Sequence, residues 1–270
     1  MVKKDKAETS EMGFLDHLEE LRWVLVRAAA GILLAAIGAF VSYRFIFDYV
    51  IFGPKSPDFV TNRVLCLIAQ SINAPALCIN SKPLEIININ MAGQFNTHLM
   101  VSLYAGIIVA FPYIIFQLWN FVKPALYEHE RKRARGAVFY ISLLFFVGVC
   151  FGFFIIAPFT IHFLGTYRIS PEVTNQINLG SYLSSVAAVT LAAGLLFELP
   201  ILILFLTKAN IVSPTFLKKY RKHAFIVIMV IAAIITPPDV FSLILVTIPM
   251  WLLYEFSIFI SSRHYRRNTP

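Results

Sequence analysis

The stretch that decides the fold is residues 182–207, YLSSVAAVTLAAGLLFELPILILFLT, an apolar run whose only charged residue is Glu198. A hydrocarbon core about 30 Å thick is crossed by about 20 helical residues, so this run is long enough to span it. Five further runs follow from the same ruler: 23–43, 94–119, 136–159, 223–235 and 240–261. The last two are weaker. Residues 223–235 end at Thr236-Pro237-Pro238-Asp239, and Pro249 interrupts the sixth run. They either cross as short helices or form a re-entrant hairpin. The composition agrees with a membrane bundle: 58% of the 270 residues are apolar, 14% are charged and the mean hydropathy is +0.73. A soluble domain has about 25% charged residues, which makes a soluble enzyme a poor description. The predicted fold is an all-α polytopic membrane protein of six transmembrane helices.

The net charge of +8 carries orientation. If all six runs cross, Arg44, Lys55, Arg63, Lys82 and Arg168 fall on one side and the other 18 of the 23 Lys and Arg on the opposite side. The positive-inside rule then places both termini in the cytoplasm of a bacterial inner membrane. The basic surplus thus marks sidedness and anionic lipid rather than nucleic acid. The first run follows acidic residues and lacks a small-residue cleavage site, so it is expected to stay as a span. No internal repeat is visible.

Residues 44–92 form the longest loop, an expected outer cap containing Pro54, Pro57, Pro75 and Pro83. Cys66 and Cys78 lie in it, on the side where disulfides persist; they either close a bridge or pack as two thiols. Cys150, inside the third run, reads as a small packing residue. No metal site is expected, since no His accompanies the loop cysteines at ligand spacing. Phosphate-loop, H-E-x-x-H and G-x-S-x-G motifs are absent, and the six His form no nucleophile or metal constellation, so neither a cofactor nor an enzyme is expected.

What stands out is a few carboxylates. Ahead of the first span, Phe14, Leu18, Leu21 and Leu25 share one helical face, so residues 10–22 read as an amphipathic helix at the inner surface, with Asp16, Glu19, Glu20 and Arg22 on its polar flank. Residues 120–133 form a loop on the same side, carrying Phe121, Lys123, Glu128, His129 and Glu130. Its plainest reading is an interfacial loop with aromatics at the headgroups. Glu198 lies about 15 Å from the inner edge, where an acid costs on the order of 3 kcal/mol, which argues for a group facing a cavity or a partner. Pro200 removes a backbone donor beside it.

Four blocks together resemble one family. His17-Leu18-Glu19-Glu20-Leu21-Arg22, Pro124-Ala125-Leu126-Tyr127 with His129-Glu130-Arg131, Phe197-Glu198-Leu199-Pro200, and Thr236-Pro237-Pro238-Asp239 look like the signature blocks of TatC, in family order. TatC is the receptor subunit of the twin-arginine protein translocase. The resemblance implies a concave bundle with two short final helices and self-association. It implies a cytoplasmic acidic site for twin-arginine signal peptides of folded proteins at Glu20 and Glu130, with Arg22 and Phe121 on the same surface. It further implies that Glu198, with Pro200 beside it, contacts the single-span subunits TatA and TatB, and that export runs on the proton-motive force. Pro54 matches the family's proline early in the outer loop, and Pro124, Pro237, Pro238 and Asp239 are motif positions. Val24 stands where the family often has a basic residue, leaving Arg27 as a substitute, and Glu128 adds an acid. The alternative from another class is a proton-coupled transporter of a small solute, with Glu198 as its proton site.

Overall fold

The computed structural model describes residues 14–81, 84–123, 136–208, 211–236 and 240–268. Helix α1, Phe14–Val41, is one uninterrupted helix, so the expected amphipathic segment and the first span share an axis from Phe14 onward. It packs along α4, Gly93–Val122. Small residues permit the approach: a β-carbon on Gly106 would lie 2.8 Å from the Ala36 β-carbon. The third span is α5, Ala137–Thr166, with a π segment at Gly152–Ile156 just before Pro158.

The fourth span is divided into α6, Leu179–Leu196, and α7, Leu199–Lys208. Pro200 explains the break, since it offers no N–H to the carbonyl four residues earlier. Phe197 and Glu198 occupy the joint, and the Glu198 N–H bonds to Leu195 O, a tighter i−3 bond. Helices α5 and α6 touch nearly backbone to backbone: a β-carbon on Gly148 would sit 2.6 Å from Ala193 O. A short helix α8, Pro214–Lys219, leads into α9, Arg221–Ile235, and the last helix is α10, Val240–Asn268. At 15 residues α9 spans only about 22 Å.

Among the described residues five helices are long and apolar enough to cross a membrane, those covering His17–Val41, Gly93–Val122, Ala137–Thr166, Leu179–Lys208 and Ser242–Arg263; the run expected at 223–235 forms the shorter α9 and is not one of them. Their outer faces carry side chains that no soluble protein would leave in water, such as Leu34 at 72% exposure and Val41 at 75%. The chain is an all-helical polytopic membrane protein. A buried apolar cluster draws on α5, α6 and α10 through Ile156, Tyr182, Val189, Val246 and Met250. Cys150 departs from the expectation of a packing residue: it lies exposed on the outside of α5. A uniformly apolar helix has no periodicity from which its inward face can be read.

The cap is built from α2, Tyr43–Phe45, extended by a π turn at Ile46–Ile51, and from α3, Val60–Ser71. Strand β1, Ile86–Ile87, pairs in parallel with β2, Ile177–Asn178, tying the cap to the start of α6. A disulfide joins Cys66 to Cys78, with Cα atoms 4.2 Å apart. The buried Asn62 amide donates to Pro54 O at 3.1 Å and Ser56 O at 2.7 Å, and Asn80 Nδ2 donates to Pro158 O at 3.0 Å. Asn80 adopts φ 51°, a left-handed conformation that asparagine tolerates. Pro158 deprives Phe154 O of its helical donor, and the Thr61 hydroxyl supplies one. Tyr182 closes the ring, its hydroxyl donating to Ile51 O at 2.7 Å.

Candidate functional site

Among the described residues six buried side-chain oxygens have no hydrogen-bond partner, four of them hydroxyls, of Ser142, Thr160, Thr190 and Ser262, and two of them carboxyl oxygens. Glu20 lies in the second turn of α1, half-buried, and its Oε2 is sheltered from solvent with no hydrogen-bond donor among the described residues. One turn earlier on the same face, His17 stacks on Phe121 of α4, with ring centroids 4.3 Å apart and planes at 19°. The stack pins the start of α1 to the end of α4, bringing Phe121 and Glu20 into one neighbourhood. Arg22 is exposed and follows Glu20 by two positions, about 200° around the helix, so it leaves that face. Pro124 and Glu130 lie outside the described residues, as do Pro237, Pro238 and Asp239.

Glu198 occupies the joint between α6 and α7, and its Oε1 is likewise buried without a donor. Nearby on α5, Ser142, Phe145 and Gly148 form the buried stripe that faces α6, and the Ser142 hydroxyl is also unpartnered among the described residues. Pro200 is buried in the first turn of α7 and does not reach the surface. Pro54 is fully buried in the cap, where its carbonyl accepts from Asn62.

Sequence reasoning passed over the polar contacts that hold the last two helices. Arg221 pairs with Glu255 at 2.8 Å, joining α9 to α10. The Tyr254 hydroxyl donates to Leu217 O at 2.9 Å, and the hydroxyls of Thr207 and Ser261 lie 2.9 Å apart. These partners are 34 to 54 positions apart, and no local pattern announces them.

Residues 16–249 match the family described as TatC, Sec-independent protein translocase protein. The chain belongs to the TatC family. A TatC from Blattabacterium sp. subsp. Periplaneta americana is 43% identical over 258 residues, covering 95% of this chain and 97% of that protein. TatCy of Bacillus subtilis is 31% identical over 262 residues, covering 97% and 93%. A crystal structure described as twin arginine translocase receptor TatC superposes with a TM-score of 0.69 at 30% identity, over 91% of this chain and 99% of that one. A second TatC crystal structure gives 0.65 at the same identity. As a TatC, the chain is a multi-pass component of a protein translocase, which works with other subunits, and not an enzyme. The solute-transporter alternative is not favoured.

Proposed function

We propose that this TatC is the receptor that binds twin-arginine signal peptides at an acidic cytoplasmic site formed by Glu20 and Glu130, with Phe121 beside them and Arg22 at its margin. The observation that carries the reading is the sheltered oxygen of Glu20, without a donor among the described residues, next to the His17–Phe121 stack. Buried acceptors are nearly always satisfied, so an open one suits an incoming donor. A guanidinium is planar, always charged and forked: it pairs with a carboxylate through two parallel bonds and lies flat on an aromatic ring. Lysine keeps the charge and loses the fork. Two carboxylates suffice to distinguish paired arginines from paired lysines.

The same reading assigns Glu198 to contact with the single-span TatA and TatB-like subunits, with Pro200 holding the break that presents it. A carboxyl oxygen inside a membrane helix, without a donor among the described residues, supports this, because a polar group on a neighbouring helix would satisfy it. Copies of the chain self-associate, both termini face the cytoplasm of the bacterial inner membrane, and export of the folded precursor draws on the proton-motive force. The test is site-specific crosslinking of a twin-arginine signal peptide to the membrane-embedded protein. Glu20→Gln and Glu130→Gln should each cut the crosslink about tenfold, as should replacing the two arginines with lysines. Undiminished crosslinking in the double substitution refutes the site.

A further inference from the structure

A second site lies at the other end of α1, about 32 Å along its axis from Glu20 to Val41. There a cavity of about 550 Å³ opens between the cap and the first turns of α4. Phe47, Phe52 and Phe95 wall it, and its polar lining is Lys55, Asn88, Gln94 and His98. Lys55 is a cation lining the site. Its ammonium donates one bond, to Leu84 O at 3.2 Å, and sits 5.1 Å from the centre of the Phe52 ring. An ammonium has three donors, so two remain for a ligand. Among the described residues Lys55 pairs with no carboxylate, although Asp48, Asp58 and Glu85 belong to the same cap. His98 is already committed: its Nε2 donates to Phe40 O at 3.0 Å, and its ring stacks on Phe40 at 3.9 Å. Its ring is held by that bond and that stack.

The cavity's level decides what it takes. It sits where the first span ends and the second begins, which is the headgroup depth of the leaflet at the cap end. The segments that frame it carry outward apolar side chains suited to acyl chains: Tyr49, Ile89 and Met91 are exposed, and Phe95 is 60% exposed. An unpaired ammonium over aromatic walls, open toward hydrocarbon, fits a phosphate that arrives with an acyl tail.

We propose that this cavity binds a phospholipid of the leaflet at the cap end, its phosphate accepting from Lys55, with Asn88 and Gln94 at the headgroup and Phe52 and Phe95 against the glycerol and upper acyl chain. The site is independent of the signal-peptide reading. A lipid held here would fasten the cap to the bilayer at one point while the far end of the bundle stays available to partners.

The experiment reconstitutes the full chain in vesicles of uncharged lipid doped with photoactivatable phosphatidylglycerol and maps the labelled peptides by mass spectrometry. Labelling should fall in residues 43–55 and 86–98. Lys55→Gln should lower it about fivefold, and Lys55→Arg should leave it unchanged. Because Lys55 also holds Leu84 O, Gln94→Glu serves as the second variant. It puts a negative charge in the cavity while an acid in the first turn of a helix favours folding, so it too should lower labelling about fivefold. Labelling that is undiminished in both variants, or that maps elsewhere, overturns the proposal. Displacement by excess inorganic phosphate would make the ligand a free anion and overturn the lipid assignment.

Discussion

In the cap, Asn62 and Asn80 hand their amide donors to the carbonyls of Pro54, Ser56 and Pro158, and a disulfide closes the loop around them. At the other end of α1 and at the joint of the fourth span, Glu20 and Glu198 each keep a buried oxygen with no donor among the described residues. Both regions bury polar atoms, but only one satisfies them from within. The buried amides of the cap are therefore satisfied from within, and they serve the fold. One oxygen of each of these carboxyl groups has no donor among the described residues, and an unmet acceptor in a low-dielectric setting attracts a donor that arrives. Substitutions should consequently move stability in the first region and binding in the second.

The largest stability effect is expected from the disulfide. Replacing Cys66 and Cys78 with Ser releases a loop closed across 12 positions, and the entropy model assigns such a loop about 3 kcal/mol. Thermal unfolding in detergent, monitored by helical circular dichroism, should show a lower midpoint. Signal-peptide crosslinking by the protein that remains folded should be unaltered. Loss of crosslinking at unchanged stability would abolish the division between the two regions.

Asn80→Ala comes next. It removes one of the side-chain donors that tie the cap to α5, costing about 1 kcal/mol. Limited proteolysis of residues 44–92 should report cap opening before the spans unfold. The counter-test is Glu20→Gln, which exchanges an unsatisfied carboxylate for a neutral amide of the same shape. It should leave the unfolding midpoint within about 0.5 kcal/mol of the parent while reducing peptide crosslinking. A destabilisation as large as that of Asn80→Ala would assign Glu20 to the fold instead.

Glu198→Ala should leave signal-peptide crosslinking intact and lower co-purification of a single-span partner about threefold to tenfold, in keeping with one interhelical hydrogen bond of about 1 kcal/mol. The Ala variant also tests the joint. Pro200 alone accounts for the missing helical bond, so the break between α6 and α7 should persist without the carboxylate, with unchanged helical content. Normal partner stoichiometry would exclude Glu198 as the contact.

These contrasts also show what was readable in advance. The spans were legible because 14% charge in 270 residues leaves few ways to cut the chain. The joint at Glu198 was legible because proline acts locally. The cap and its cysteine pair were foreseen, but its internal bonds were not: Asn80 finds Pro158 at a separation of 78 positions, a pairing that exists only once the helices have packed. Cys150 was misjudged for a related reason, since a helix apolar on every side gives no sign of which side meets lipid. Glu20 was singled out by its motif, but the lack of a donor for its Oε2 among the described residues is a three-dimensional observation. Arg22, its neighbour in sequence, is carried to another face by the helical turn.

The smallest predicted effect concerns Arg221 and Glu255. Their side chains are 45% and 31% exposed, so solvent screens the pair and its stability contribution is about 0.5 kcal/mol despite the 2.8 Å contact. Its consequence is positional. Helix α9 is only 15 residues long, and the pair fastens its first residue to α10, where the Tyr254 bond to Leu217 O reinforces it. Arg221→Gln should barely change the unfolding midpoint but should increase hydrogen exchange in the first turn of α9. The charge reversal Arg221→Glu with Glu255→Arg should restore protection. If Arg221→Gln leaves exchange unaltered, packing alone holds that end, and the polar contacts of the last two helices belong with the internally satisfied amides of the cap rather than with the two carboxyl groups.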